Sequence, residues 1–508
     1  MSCSSGTPRD RRPARIDSFW KEVVQGAAGT GISRVTGLIR DGAIAYAFGA
    51  SASYDAFLVA LFIPNALRQL LGEGGLAAAF IPVYTSWQKR GQGTDLARST
   101  LGLLLGVLPA VCALGALAAR WYLPFLAAGF PPEKMGESVA LAAWLFPLLG
   151  FVSLTALFGG ILNAHGRFFG PAVAPAVLNL GMALGAVVLS RLFPRAIFGL
   201  AAGALLGGLV MTVALLPATL RYLKGPLQVW PLHPGLREVG WRLLPSLGGL
   251  VVAEANVLVD NRLASYLAHG SIAVLQYAMR LFQLPLGVLA VSVASAALPR
   301  LARAPSPGTD FARTLSRGFH LTAALVLPAM VGLLLLGQPI LTVLFERGAF
   351  GRSDTARTFD CLAGYLSGLW AYALVYLFSR AHFALGRPAL PFAAAALALG
   401  VNVGLNLWWV GVWGAFGLAL ATGVAGWVDA LVLGGWLWRK VPGWIKTSVL
   451  ARIAAAAGVM GGAVWGARTL LGGQAPWLQV VVGVPVGVLV YGLAGWALGL
   501  RELVQGER

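Results

Sequence analysis

Charged residues are scarce in this chain of 508 residues. Only 11% of the residues are Asp, Glu, Lys or Arg, whereas a soluble globular protein has about 25%. Hydrophobic residues make up 58% of the chain, and the mean hydropathy is +0.76. A water-soluble fold cannot bury so large an apolar fraction, because its surface must face water. The composition therefore excludes a soluble enzyme, a disordered chain and a fibre, and it predicts an all-α polytopic membrane protein.

Residues typical of catalytic and metal centres are also few. The three cysteines, Cys3, Cys112 and Cys361, are far apart and form no CxxC pair, and the five histidines include no HExxH motif. No nucleophile–base pair or phosphate-binding loop is present. We therefore predict that the protein is not an enzyme and has no cofactor, with a sodium ion as the one candidate considered below.

Apolar runs separated by charged residues, Gly or Pro predict fourteen membrane-spanning helices. A spanning helix needs about 20 apolar residues, and no alternation typical of strands is present. The Arg-rich residues 1–21 are not followed by the apolar run and cleavage site of a signal peptide, so they predict a cytoplasmic tail. The spans lie near residues 24–48, 54–87, 99–119, 139–163, 171–190, 197–220, 241–267, 273–299, 312–342, 358–385, 389–411, 414–437, 449–470 and 476–499.

The positions of Lys and Arg predict the orientation of the spans. If the N-terminus is in the cytoplasm, the inside segments hold 25 Lys and Arg residues and the outside loops hold nine. Cytoplasmic loops of membrane proteins carry such an excess, so we predict that both termini are cytoplasmic. The net charge of +19 then reflects membrane topology, and no nucleic-acid partner is expected.

An internal repeat predicts two similar halves. The segment from Gly49 to Pro64 resembles the segment from Gly270 to Pro285, with the same spacing of fifteen residues. We predict two pseudo-symmetric six-helix lobes, residues 22–225 and 226–440, followed by a C-terminal helix pair and tail in residues 441–508. Two like halves around a midplane site are typical of secondary transporters.

Four arginines lie inside the predicted spans: Arg34, Arg40, Arg68 and Arg280. A charged side chain at the bilayer centre costs at least about 2.5–3.5 kcal/mol on insertion scales, so we expect most of them to face a hydrated cavity. Because a guanidinium binds phosphate oxygens through a bidentate fork, the expected ligand is an anionic headgroup. The alternatives are snorkelling to the interface and internal salt bridges.

Polar residues also lie in the spans of the second predicted lobe. Asp260, Asn402, Asn406 and Thr422 supply carboxylate, amide and hydroxyl oxygens, which suit a small hard cation. Hydrogen bonding between helices explains the same residues without an ion. Both interpretations remain open on the sequence alone.

Eight short motifs along the whole chain form a specific pattern. They are Ser33–Asp41, Tyr54–Phe57, Ile63–Arg68, Gly72–Gly74, Ala79–Pro82, Tyr277–Leu281, Phe345–Phe350 and Ala384–Pro388. These motifs resemble the MurJ (MviN) family of lipid II flippases, which belongs to the MATE/polysaccharide-exporter (MOP) superfamily. The resemblance implies a protein of the bacterial cytoplasmic membrane that carries lipid II, the undecaprenyl-pyrophosphate-linked peptidoglycan precursor, from the cytoplasmic to the periplasmic leaflet by alternating access.

The resemblance also implies roles for individual residues. Arg34, Arg40, Arg68 and Arg280 match the cavity arginines that engage the pyrophosphate. Ser33, Asp41 and Asp55 match neighbouring positions that shape the substrate-binding cavity and its gating. Glu73 resembles a cytoplasmic gate acid with Arg380 as its partner. The last two helices resemble a groove for the lipid tail, and Asp260, Asn402, Asn406 and Thr422 resemble a sodium site.

The chain departs from the family pattern at three positions. Gln69 replaces a second Arg, Met279 replaces an acid before Arg280, and Asn406 stands where the sodium site commonly has an Asp. The third departure lowers the negative charge of that site. The functional alternatives are a MATE-like drug or cation antiporter, a flippase for another undecaprenyl-linked glycan, and a non-transporting membrane scaffold. The expected partners are lipid II and membrane lipids, and the expected state is a monomer.

Overall fold

The structure, a computed structural model, describes residues 14–72, 75–227, 232–304 and 306–501. These residues form sixteen α-helices and no strand, which confirms the predicted all-α class. The helices are α1 (Ala14–Phe48), α2 (Ala52–Gly72), α3 (Gly75–Lys89), α4 (Gly93–Leu126), α5 (Pro132–Ala164), α6 (Phe169–Val187), α7 (Ile197–Leu220), α8 (Gly235–Ala264), α9 (Ser271–Pro285), α10 (Val291–Arg303), α11 (Thr309–Phe345), α12 (Arg352–Leu366), α13 (Leu369–Ala384), α14 (Ala389–Lys440), α15 (Thr447–Leu470) and α16 (Pro476–Ala497).

Many of the described helices are long and apolar enough to cross a bilayer. Within the described part of the chain, nine stretches of helix meet this requirement, or ten if α12 and α13, which bend by 42°, form one span. Helix α14 covers the predicted spans eleven and twelve, and Gly414 breaks it with a non-helical backbone (φ 56°, ψ −133°) that an L side chain rarely adopts. The total of fourteen spans stays a prediction.

The chain forms two compact units. Unit 1 comprises Met1–Ile44, Ala60–Trp121 and Glu137–Leu250, and unit 2 comprises Ala45–Val59, Tyr122–Gly136 and Val251–Arg508. The turns after α1 and after α4 therefore belong to unit 2. These units are defined by contacts between residues, whereas the predicted lobes were defined by the sequence repeat. The lobe boundaries at residues 225 and 440 therefore stay predictions.

Helices α6 and α7 of unit 1 approach each other through glycines. A Cβ atom on Gly181 would lie 2.5 Å from the Cα of Gly207, and one on Gly185 would lie 2.8 Å from the Cα of Gly203. Between helices in lipid there is no hydrophobic driving force, so close backbone approach supplies the packing energy. The small residues of the fifth and sixth predicted spans thus explain why these two helices pair.

Three turns of unit 2 interlock through glycines with positive φ. Gly49 (φ 55°) lies against the carbonyl of Ala349, Gly348 (φ 59°) lies against the carbonyl of Tyr46, and Gly270 (φ 82°) meets the turn after Gly49. The backbone N–H of Ala349 donates to the carbonyl of Tyr46 at 2.9 Å. Any Cβ atom at these glycines would collide with a neighbouring turn. We call these contacts the three-turn interlock.

The C-terminal pair, α15 and α16, packs on α11. A Cβ atom on Gly461 would lie 3.0 Å from Val331, one on Gly483 would lie 2.9 Å from Leu336, and the Tyr491 hydroxyl donates to the Ala324 carbonyl at 2.6 Å. The pair is therefore fixed to one long helix of unit 2 while much of its apolar surface stays exposed.

Candidate functional site

Arg40 is the centre of a polar network in unit 1. From α1 it donates through Nε and Nη2 to Asp41 Oδ1, at 2.9 and 2.7 Å, and through Nη1 to Asn179 Oδ1 of α6, at 2.8 Å. The side chains of Arg40 and Asp41 are 16% and 8% exposed. The guanidinium is therefore held in one orientation by an acid and an amide.

Asn179 also fixes the neighbouring turn of α1. Its Nδ2 donates to the carbonyl of Ser33 at 3.1 Å and to Thr36 Oγ1 at 3.4 Å. Sequence reasoning missed this residue. A single amide within the apolar span near 171–190 was the available signal, because polar groups inside spans are rare and usually have a partner.

The other predicted cavity arginines lie in both units. Arg34 is exposed on α1, and Arg68 is half-buried on α2, where its Nε donates to Asn65 Oδ1 at 3.0 Å. Arg280 is half-buried on α9. Unit 1 thus contains Arg34, Arg40 and Arg68 together with Ser33 and Asp41, and unit 2 contains Arg280.

Asp55 has an unusual environment in unit 2. It is 2% exposed, and its two carboxylate oxygens accept hydrogen bonds from the backbone N–H groups of Gly270 (2.7 Å) and Ala273 (2.9 Å) at the start of α9. Lys134 Nζ lies 2.9 Å from Asp55 Oδ2. The carboxylate satisfies two N–H groups that the first turn of a helix leaves without partners, and it interacts favourably with the positive end of the helix dipole. We call this arrangement the Asp55 cap.

Lys134 is the second residue that sequence reasoning missed, since it counted only as one of nine outside cations. Its side chain is buried, and its Nζ lies 3.8 Å from the centre of the Phe130 ring. Lys134 is in the first turn of α5, where the helix dipole disfavours a cation. A lysine at that position favours a nearby acid, but the sequence did not indicate Asp55, because Glu133 and Glu137 are closer along the chain.

The four residues of the predicted sodium site lie together in unit 2, on α8 and α14. Asn406 Nδ2 donates to Asp260 Oδ1 and to Asn402 Oδ1, each at 2.7 Å, and Asn402 Nδ2 donates to Thr422 Oγ1 at 3.3 Å. The Asn406 Oδ1 atom is buried and accepts no hydrogen bond. An unsatisfied buried oxygen is costly, and a carboxylate with amide and hydroxyl oxygens is a donor set that fits a hard cation. We call these four residues the α8–α14 polar cluster.

Of the two residues of the predicted gate, the structure describes one. Glu73 lies outside the described residues. Arg380 lies near the end of α13 and is half-buried. In the described part of the chain no group of three or more His, Cys, Asp or Glu residues is arranged to hold a metal ion, so the α8–α14 polar cluster, with one carboxylate, is the candidate ion site.

A family model matches most of the chain. The model for lipid II flippase MurJ aligns with residues 44–481. A probable lipid II flippase MurJ from Vibrio cholerae is 36% identical over 473 residues, which cover 89% of this chain and 89% of that relative. The match is therefore not confined to one motif or one half of the molecule.

Solved structures agree with this assignment. A lipid II flippase MurJ in an inward closed conformation superimposes with a TM-score of 0.81 at 26% identity, covering 95% of this chain and all of the other. An inward-facing multidrug resistance transporter of the MATE family, from the MOP superfamily, shares the fold with a TM-score of 0.64 at 15% identity, covering 83% of this chain and 95% of the other. The resemblance that the sequence motifs indicated is confirmed: the chain belongs to the lipid II flippase MurJ family.

Proposed function

We propose that this protein moves lipid II from the cytoplasmic to the periplasmic leaflet of the bacterial cytoplasmic membrane by alternating access. It is a multi-pass membrane protein whose relatives are named as flippases, so the proposed activity is transport without covalent chemistry. The observation that carries the proposal is the placement of Arg34, Arg40 and Arg68 in one unit of a chain that otherwise has so few charges.

Arg40 is the residue that we propose to recognise the pyrophosphate most directly. Asp41 and Asn179 hold its guanidinium in place before any ligand arrives, so little side-chain entropy is lost on binding. A phosphate oxygen replaces the Asn179 amide oxygen on Nη1, and it forms a stronger hydrogen bond because both partners are charged. In unit 1, Arg34 and Arg68 supply further positive charge, and Ser33 lies on the turn that Asn179 fixes. For Arg280 we propose a role in pyrophosphate binding because of its match to a cavity arginine of the family.

The Asp55 cap and the three-turn interlock join the turn between α1 and α2 to the start of α9 within unit 2. Alternating access requires a state in which the turn between α1 and α2 separates from the start of α9. We assign Asp55 to this gating role. We further propose that Glu73 and Arg380 form a gate at the cytoplasmic end, and that the exposed faces of α15 and α16 accept the lipid tail.

A sodium ion is the coupling ion that the α8–α14 polar cluster fits. Asp260, Asn402, Asn406 and Thr422 would hold it through side-chain oxygens, including the unpaired Oδ1 of Asn406. When bound, the ion supplies positive charge that neutralises Asp260 inside the membrane. Because Asn406 is neutral, the cluster has a single carboxylate, and we expect weak sodium binding.

The decisive experiment measures lipid II exposed on the outer face of cells that depend on this protein. Arg34→Ala and Arg280→Ala should abolish exposure and growth while expression stays normal. Arg120→Gln is the matched control, because Arg120 is an exposed arginine stacked on Trp121. Normal exposure in both cavity variants, or after depletion of the protein, refutes the proposal.

A binding experiment separates lipid II from other substrates. Purified protein should bind lipid II more tightly than other undecaprenyl-linked sugars. Equal binding would favour a general glycolipid flippase. A gain of drug resistance on overexpression, with lipid II exposure unchanged, would favour a drug antiporter.

A further inference from the structure

A polar cavity of about 350 Å³ lies at the turn between α15 and α16. Its lining residues are Trp465, Arg468, Thr469, Gly472 and Gln479. All of them belong to unit 2, and none is part of the arginine site, the Asp55 cap or the α8–α14 polar cluster. Pockets that hold small ligands have volumes of about 300–1,000 Å³, so this cavity has room for a lipid headgroup.

Arg468 gives the cavity a fixed positive charge. Its Nη1 donates to the Leu335 carbonyl of α11 at 2.7 Å, and the side chain is half-buried. None of the ion pairs between described residues includes Arg468. A guanidinium has five N–H donors, so one hydrogen bond to a neutral carbonyl leaves most of its capacity, and all of its charge, for an anion.

Thr469 and Gln479 add acceptor atoms to the same cavity. The Thr469 hydroxyl donates to the Gly466 carbonyl at 2.8 Å, and Gln479 Nε2 donates to the carbonyls of Leu471 and Gln474 at 3.2 and 3.4 Å. These bonds use the donor groups and leave the Thr469 Oγ1 and Gln479 Oε1 atoms as acceptors. The cavity therefore combines a cationic donor with two neutral acceptors, which is the complement of a phosphate that carries hydroxyl groups.

The position of the cavity relates it to the membrane. Helices α15 and α16 both qualify as membrane spans, and the cavity lies where they turn. Trp465, Leu470 and Trp477 near this turn are 61%, 88% and 57% exposed. Tryptophan is enriched at the depth of the lipid headgroups, so exposed tryptophans beside the turn favour a position of the cavity at that depth.

We propose that this cavity binds the headgroup of an anionic phospholipid whose phosphate carries glycerol. The Arg468 guanidinium binds the phosphate, and Thr469 Oγ1 and Gln479 Oε1 accept hydrogen bonds from the glycerol hydroxyls. Because Arg468 also bonds the Leu335 carbonyl, the bound lipid holds the turn of the helix pair to α11. This site is separate from the arginines that we propose to bind the lipid II pyrophosphate, although it adjoins the α15 and α16 faces that we propose for the lipid tail.

Lipid binding to the purified full-length chain in detergent tests this site. Native mass spectrometry with phosphatidylglycerol as the probe should give binding at least tenfold tighter than with phosphatidylcholine. Arg468→Gln should lose about ten- to hundredfold in affinity, the range expected for one charge-assisted contact. Arg468→Lys should retain an intermediate affinity, because it keeps the charge and loses the planar fork.

Matched variants make the result specific. Arg120→Gln removes another exposed arginine, which stacks on Trp121 at 4.1 Å, and it should bind phosphatidylglycerol as the wild type does. Thr469→Trp fills the cavity while residue 468 stays an arginine, and it should also abolish binding, so it tests the site even if Arg468→Gln fails to fold.

Three outcomes would overturn the inference. They are undiminished binding by Arg468→Gln and Thr469→Trp, an equal loss in Arg120→Gln, and equal affinity for phosphatidylcholine. Soluble sn-glycerol 1-phosphate provides a further arm of the experiment. If it displaces phosphatidylglycerol at equal concentration, the ligand is a free phosphate ester and the assignment to a membrane lipid is wrong.

Discussion

Replacement of Lys134 by Met should favour the open state of the gate that we propose at the Asp55 cap. The ion pair of Lys134 and Asp55 is almost fully buried, with side chains 7% and 2% exposed. Removing one partner of a buried pair costs about 3–5 kcal/mol, because the other charge stays behind unpaired. The two backbone N–H groups of α9 still solvate the Asp55 carboxylate, so we expect the lower end, about 3 kcal/mol.

This cost applies to the closed state. Since 1.4 kcal/mol corresponds to a tenfold change in an equilibrium constant, the ratio of closed to open molecules should fall by about 100-fold. Pulsed electron paramagnetic resonance between spin labels at Ser53 and His269, in a chain without native cysteines, measures this ratio. We expect one short distance in the wild type and a second, longer distance in Lys134→Met.

Two further variants test the reasoning. The double variant with Asp55→Asn and Lys134→Met has neither charge. A larger fraction of its molecules should therefore be in the closed state than in Lys134→Met alone. Arg357→Gln is the matched control. Arg357 of α12 contacts the same end of α9, and among the described residues its hydrogen bonds go to the His269 carbonyl and to Ser271 Oγ, at 3.2 and 3.1 Å. A distance distribution in Lys134→Met that matches the wild type would refute the assigned role of the Asp55 cap.

Three more predictions follow from separate features. Gly181→Ala should destabilise unit 1 by about 1–3 kcal/mol, because the new Cβ meets the α7 backbone, whereas Gly106→Ala, with no atom within 4 Å, should not lower the melting temperature. If sodium chloride raises the melting temperature more than choline chloride does, Asp260→Asn should remove this difference. An unchanged difference would exclude the α8–α14 polar cluster as the sodium site. Burial and the charge of Arg167 lower the pKa of His165, which lies in the loop after α5, below its ordinary value of 6.5. The unfolded chain then binds a proton at His165 more readily than the folded chain does. The contribution of His165 to folding stability is therefore complete above pH 6.5, and it is lost as the pH falls towards the pKa in the folded state. Melting temperatures of His165→Gln, measured against pH, should lack this decrease at acid pH.

Much of the fold follows from composition and periodicity. Apolar runs predicted an all-α membrane protein, and the repeat pointed to Gly49 and Gly270, which both adopt positive φ at the ends of turns. The number of spans was harder to predict from the sequence, because a proline or glycine does not show whether a helix bends or ends at that position. Helix α14 continues through the predicted boundary near 411–414 with only a local break at Gly414.

The candidate sites were predictable where residues share a helix face or a motif. Asn402 and Asn406 are one turn apart, and the structure brings Asp260 and Thr422 to them. Lys134 and Asn179 were not predicted, because their partners are 79 and 139 residues away along the chain. Contacts between residues so far apart along the chain depend on how the helices pack against one another. Local sequence patterns carry no information on that packing.

The turns that meet in unit 2 are held together by two different kinds of contact. The three-turn interlock consists of backbone atoms packed against glycines, and neither salt nor acid alters such contacts. The Asp55 cap depends on opposite charges, although its burial limits screening by dissolved ions. Only the charged component can respond to an approaching anion or to a voltage across the membrane, so in the proposed gate the interlock sets the geometry of the turns and the charge pair sets their sensitivity.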